Sequence, residues 1–301
     1  MAETDFATRL NQRIAKLDTR VCVGIDPRPE AHPLTHPQRF DNDPAQVSKA
    51  VLYYFQAIIE ATADLAACYK LQAAFFEAMG IPGLIAMAQL LAFLKSHDLP
   101  VILDAKRGDI GVTAQAYARA YLADGVFAAD ALTVNPYLGW DSLEPFIAQA
   151  QIKERGLFLL LKTSNPGSGD LQDLELRSGL RLYEHLAQQV YSRSYALRDE
   201  SSDYSLLGAV VGATHPEELA WARQHLPHSL LLVPGYGAQG GEAEDVVAAF
   251  DAQGLGAIVN SSRGLTYLSQ ADDFAQHSQQ ATRSMRDAIN QALQAGAKKA
   301  N

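Results

Sequence analysis

The densest chemistry in the chain lies in Asp104-Ala-Lys106-Arg-Gly-Asp109-Ile110, at the end of the apolar run Leu99-Pro-Val-Ile-Leu103. Asp98 and Pro100 before that run and Gly108 after it bound a predicted buried strand. Strand side chains alternate between faces, so Asp104 and Lys106 point the same way. A carboxylate and an ammonium on a buried face are costly to desolvate unless they pair and are used. Two further strand-end charges join them: Asp26 in Val23-Gly-Ile-Asp26-Pro, and Lys70 in Cys68-Tyr-Lys70-Leu-Gln. A lone aspartate at a strand end is more often a cap. Four charges of alternating sign on three consecutive strands predict a chain of Lys–Asp–Lys contacts, and favour a functional site over a structural ion network.

A second constellation is Pro234-Gly-Tyr-Gly-Ala-Gln239-Gly-Gly241. Its Gly235-x-Gly237-x-x-Gly240 matches the dinucleotide fingerprint in form only. The match lies late in the chain, and Asn260 stands where an acidic ribose ligand is expected. A glycine-rich loop between strand and helix still offers backbone N–H groups to an anion. Asn260-Ser-Ser262-Arg263-Gly264, after the next strand, adds hydroxyls and a guanidinium. The pair predicts a phosphate site.

To bring these residues together the chain needs a repeating frame. Strands are predicted at Val21–Ile25, Ala66–Leu71, Val101–Leu103, Ala131–Asn135, Leu157–Leu161, Leu206–Val211, Leu230–Val233 and Ala257–Asn260. Helices are predicted between and after them at Gln46–Ala63, Pro82–Ser96, Thr113–Leu122, Asp141–Lys153, Ser178–Ser192, Pro216–His225, Glu242–Phe250 and Asp272–Ala295, with Thr113 and Asp141 as N-caps. Eight parallel strands with helical crossovers predict an α/β fold, a (β/α)8 TIM barrel, with a doubly wound open sheet as the alternative. We read residues 1–301 as a single barrel domain with an N-terminal helix and a C-terminal helix whose end, Ala295–Asn301, frays. The long loops Pro27–Pro44 and Thr163–Arg177 both follow strands, on the barrel face where active sites are built, and are read as lids or binding segments.

Composition narrows the class. The 301 residues are 48% apolar and 20% charged, with net charge −9, which argues against a broad nucleic-acid surface. No apolar run approaches the roughly 18 residues of a membrane span, and Met1-Ala-Glu-Thr-Asp-Phe does not resemble a secretory signal. Cys22 and Cys68 suit reduced core thiols of a cytoplasmic protein. The eight histidines show no metal-ligand spacing. His32 and His36 are expected at the surface. No Gly-x-Ser-x-Gly elbow supports a serine hydrolase.

Asp104-x-Lys106-x-x-Asp109-Ile110-x-x-Thr113 resembles the signature of the orotidine 5′-phosphate decarboxylases. Lys70, Asp26, Ser164-Asn-Pro-Gly, the Pro234–Gly241 loop and Arg263 extend the likeness from about Val21 to about Tyr267. Asp-Ala-Lys-Arg-Gly-Asp and Thr-Ser-Asn-Pro-Gly resemble the longer bacterial subgroup, type 2. The resemblance implies cofactor-free decarboxylation of orotidine 5′-phosphate to UMP in pyrimidine biosynthesis, without a metal. It implies that Lys106 protonates C6, that Asp104 sits by the departing carboxylate, and that Lys70 pairs with Asp104 and the ribose. It further implies that Asp26 binds ribose, Ser164 the pyrimidine, and Gln239 and Arg263 the phosphate. Asp109, with Thr113, would reach into a neighbouring subunit, which implies a homodimer with shared sites.

Three rival readings stand beside it. A metal-dependent phosphosugar aldolase on the same barrel would place an acidic metal ligand near the first two strands, where this chain has Lys70. A Schiff-base aldolase would use Lys162. A non-catalytic nucleotide sensor would bind UMP, but has no reason to keep a buried carboxylate beside an anionic ligand.

Overall fold

A computed structural model describes residues 5–198, 203–214, 216–237 and 241–300, with side chains described to residue 296. Eight parallel strands close a barrel in sequence order. The chain enters through α1 (Phe6–Leu17) and β1 (Val21–Ile25), then runs α2 (Pro44–Thr62), β2 (Cys68–Gln72), α3 (Ala73–Ala78), α4 (Gly80–Ser96), β3 (Val101–Arg107) and α5 (Gly111–Leu122). The middle is β4 (Ala131–Val134), α6 (Glu144–Ile152), β5 (Gly156–Lys162), α7 (Gly169–Gln172), α8 (Leu182–Ala196) and β6 (Ser205–Val211). It closes with α9 (Pro216–His225), β7 (Ser229–Pro234), α10 (Ala243–Val246), β8 (Ala257–Ser261), α11 (Arg263–Thr266) and α12 (Phe274–Ala300). This is the (β/α)8 barrel, and the open-sheet alternative falls because β8 pairs with β1 through Val21↔Val259 and Cys22↔Asn260.

Two apolar layers hold it. The outer layer packs helices on strands: Val51, Tyr54, Phe55 and Ile58 of α2 and Leu90 and Leu94 of α4 bury against Val23, Tyr69 and Leu71. The inner layer fills the barrel with Cys22, Cys68, Ile102, Phe158 and Ile258, and α1 caps its N-terminal end with Phe6, Leu10 and Ile14. Phe6 meets Phe158 edge-on at 6.2 Å, in space that a side chain on Gly156 would take. Asp130 is braced at the same end by Arg9 at 2.8 Å and Arg155 at 2.9 Å, and accepts the Val101 N–H at 2.9 Å. Conserving shape there is a stability role, since the opposite end carries the chemistry in this fold. Cys22 and Cys68 are free, buried, and paired in register across β1 and β2.

Several boundaries differ from expectation. Thr113 is no N-cap: the cap is Ile110, and Thr113 lies inside the first turn of α5. Asp141 does not cap α6 either; it sits in a 3-10 turn, Trp140–Ser142. Pro145, in the first turn of α6, has no N–H for an upstream carbonyl, so the helix restarts there. The Glu242–Phe250 segment splits into α10 and a 3-10 turn, Val247–Ala249. The 178–192 prediction shifts to Leu182–Ala196, and α12 continues to Ala300 instead of fraying from Ala295. Among the described residues no helix is long and apolar enough to cross a membrane.

Candidate active site

At the C-terminal ends of the strands opens a cavity of about 510 Å³, to which all eight strand ends or their following loops contribute. Asp104 stands at its centre. Both its oxygens are filled: Oδ1 accepts from Lys106 Nζ at 2.6 Å and Thr133 Oγ1 at 2.9 Å, and Oδ2 from Lys70 Nζ at 2.9 Å and Gln72 Nε2 at 3.0 Å. Four donors match the four lone-pair sites of a carboxylate. Burial alone would push the Asp104 carboxyl up, but Lys70 and Lys106 outweigh it and hold the group well below the usual carboxylate range. For Lys70 burial likewise opposes the charge, and Asp104 and then Asp26 more than restore it, raising the ammonium above the ordinary lysine value. The predicted Lys–Asp–Lys chain is therefore present. Its two cations differ: the Lys70 side chain is 5% exposed, whereas that of Lys106 is 45% exposed and open to the cavity.

Backbone geometry sets that difference. Lys106 has φ of +48°, a left-handed conformation unusual for a long side chain. It lies in a bulge: Leu103 pairs with Leu132 and Arg107 with Val134, so three residues of β3 face Thr133 alone. Arg107 secures the far side, with Glu77 and the Tyr121 hydroxyl as hydrogen-bond partners and its guanidinium 5.5 Å from the Tyr117 and Tyr121 rings.

The other expected residues divide into three groups. Asp26, Ser164 and Arg263 line the cavity. Among the described residues Asp26 Oδ1 is buried without a hydrogen-bond partner, which leaves it an open acceptor. Gly212 makes room for Ser164, whose Cβ a side chain there would meet. Asp109 and Thr113 do not line the cavity: Asp109 Oδ1 accepts the Ile110 N–H at 2.8 Å, and Thr113 is exposed. Gln239 lies outside the described residues; of its loop, Pro234, Gly235 and Tyr236 reach the cavity.

The loops behave differently from one another. Thr163, Ser164, Asn165 and Gln172 of the second loop line the cavity, and Gln172 closes that loop on itself through the Thr163 N–H at 2.9 Å. Only Arg28, from the start of the 27–44 loop, does so. The expectation of surface histidines fails for His32, which is 1% exposed and packs on Tyr54 and Phe274. Its Nδ1 accepts the Leu34 N–H at 3.2 Å, so the aromatic cluster uses it as a turn anchor. His36 is half-buried and caps a 3-10 turn. Lys162 is no free amine: Asp173 holds it at 2.6 and 2.7 Å, and it does not line the cavity. Gln72, Thr133 and Arg28 were not anticipated. Alternation could have exposed Gln72, which shares the Lys70 face, and Thr133, polar within Leu132-Thr-Val134.

The sequence pattern described as "Orotidine 5'-phosphate decarboxylase / HUMPS family" matches residues 19–277. An orotidine 5′-phosphate decarboxylase of Rhodopirellula baltica is 45% identical over 278 residues, 90% of this chain and 91% of that protein. Its namesake from Deinococcus radiodurans is 42% identical over 292 residues, 96% and 98% of the two chains. The solved structure of Leishmania donovani OMP decarboxylase superposes with a TM-score of 0.75 at 33% identity, covering 95% of this chain and 99% of that one. With its barrel, its central carboxylate and these relatives, the chain belongs to the orotidine 5′-phosphate decarboxylase / HUMPS family.

Proposed function

We propose that this member of the family is the carboxy-lyase of pyrimidine biosynthesis, converting orotidine 5′-phosphate to UMP without a cofactor. One observation carries the mechanism: a buried, fully hydrogen-bonded Asp104 holding an exposed Lys106 ammonium over the cavity. Loss of CO2 breaks the C6–carboxyl bond and leaves the electron pair on C6. Lys106 Nζ, placed there beforehand, stabilises that charge and then gives its proton to form the C6–H bond. Because donors fill every lone-pair site, Asp104 stays ionised, keeps Lys106 oriented, and directs its charge at the substrate carboxylate. Preset groups need no reorganisation as charge develops, which is where electrostatic catalysis gains most.

The rest of the cavity suits the rest of the nucleotide. The unpartnered Asp26 oxygen is an acceptor for a ribose hydroxyl, with Lys70 as its cationic neighbour. Ser164, which lines the cavity, is assigned to the pyrimidine ring. Arg263, at the start of α11, and the 234–237 turn lie where barrels of this class bind phosphate, after strands seven and eight. Gln239 is assigned to the same phosphate. Binding energy from that remote group helps close the site and exclude water.

Asp109 and Thr113, which do not line their own cavity, are assigned to a neighbouring subunit's site in a homodimer. Ile110 and Val112 support this, being 59% and 78% exposed at the start of α5, where an apolar surface wants a partner. The reduced thiols fit a cytoplasmic setting.

The metal-dependent aldolase reading is disfavoured because Lys70 puts a cation where a divalent ion would need carboxylates. The deciding assay follows the absorbance of orotidine 5′-phosphate with purified, chelator-treated protein. Its loss at an undiminished rate supports the proposal, and no loss, with UMP still bound, would leave a sensor.

A further inference from the structure

The bulge that presents Lys106 leaves two loose ends, and one side chain ties both. Three residues of β3, Asp104 to Lys106, lie opposite Thr133. The Lys106 N–H therefore has no strand carbonyl in register, and donates instead to Thr133 Oγ1 at 2.9 Å. The same hydroxyl donates to Asp104 Oδ1 at 2.9 Å. Its polarity is forced: the amide can only donate and the ionised carboxylate can only accept, so the single hydroxyl hydrogen must go to Asp104. Thr133 itself is 1% exposed.

We infer that Thr133 is a positioning residue for decarboxylation, locking the left-handed backbone of Lys106 to the carboxylate that aims its ammonium. This rests on the reading of Lys106 as proton donor. A non-glycine residue at φ of +48° persists only where its surroundings over-determine it. Arg107 holds one side of this turn, and the Thr133 hydroxyl holds the other. Without the hydroxyl the Lys106 amide loses its partner, and the Asp104 carboxylate loses one of the four donors that fix its orientation. Both changes move Nζ of Lys106, while the parts of the cavity that hold ribose and phosphate stay in place.

Thr133→Val keeps the shape and branching and removes only the hydroxyl. The expected result is a fall in kcat of about ten- to a hundredfold, the value of one hydrogen bond to a charged group. KM and UMP affinity stay within about twofold, because the lost interaction acts on the reacting centre. Thr133→Ser restores the hydroxyl and most of kcat. If Thr133→Val keeps full kcat, the inference is wrong. It is also wrong if Thr133→Ser fails as badly as Val, or if Val weakens UMP binding as much as kcat, since those results mark a packing role. Should Val not fold, Thr133→Ala is read by the same criteria, and failure of both to fold likewise marks a packing role. Lys106→Ala is measured alongside: retained turnover there overturns the proton-donor reading itself, a failure distinct from that of Thr133.

Discussion

Lys70 and Lys106 share one carboxylate but have opposite tasks, and burial decides which is which. Lys70 is enclosed, so its charge is part of the fold's electrostatic balance. Removing it leaves Asp104 buried with one cation, and breaking such a pair costs about 3–5 kcal/mol. Lys70→Ala should therefore lower the denaturation midpoint markedly as well as end turnover, as chemical unfolding followed by circular dichroism would show. Lys106 is exposed, and its removal leaves Asp104 with Lys70, Gln72 and Thr133, so Lys106→Ala should fold and lose less stability than Lys70→Ala. It should still bind UMP in calorimetry and show no turnover; activity near that of the parent protein would remove the assigned role. The paired Lys162 differs from both. Held by Asp173, it should give no borohydride-trapped adduct with a sugar phosphate.

At the scale of elements, the two long loops serve different ends. The 163–177 loop is fastened at its root by Lys162–Asp173 and contributes four side chains to the cavity. The 27–44 loop is instead fixed to the outer layer. Tyr267 accepts the Arg28 N–H at 2.7 Å, and His32 sits among Tyr54, Phe274 and the turn at Leu34. Burial lowers the His32 pKa, an effect partly opposed by the Ala271 and Ser269 carbonyls and by Asp272. A group depressed in the folded state binds its proton more readily when unfolded, so folding is favoured above the ordinary histidine range, near pH 6.5. That contribution is lost as the pH falls below it. Protonation also turns the Nδ1 acceptor into a donor facing the Leu34 N–H. The melting temperature of the parent protein should thus drop more steeply from pH 7 to pH 5 than that of His32→Asn, in parallel scans; equal slopes would show that His32 does not titrate against folding.

For the whole molecule, the proposed shared site has a stoichiometric consequence. Asp109 and Lys106 of one chain would serve different cavities. Lys106→Ala and Asp109→Ala chains, each inactive alone, would form hybrid dimers with one complete site. Random mixing makes half of the dimers hybrids with one of two sites intact, so activity should recover to roughly a quarter of the parent level. Mixing the two after mild dissociation and assaying decarboxylation tests this, and no recovery in confirmed hybrids would return Asp109 to its own chain. Introducing a charge at Val112, 78% exposed, should shift sedimentation toward monomer and lower activity with it.

The sequence alone was enough for what depends on local order. Eight apolar runs with helical crossovers specify a barrel, and Lys70, Asp104 and Lys106 fall at the strand ends where such a barrel carries its site. Signals within a few residues carried that much. The bulge was not legible there, because pairing three residues of β3 against Thr133 is a property of two strands meeting. The burial of His32 was equally hidden, since its neighbours Tyr54 and Phe274 are distant in the chain. Only the pairing of β2 and β4 with β3 brought Gln72 and Thr133 to the carboxylate. A buried charge takes its donors from whatever backbone lies alongside, and that is settled by packing rather than by neighbours in sequence.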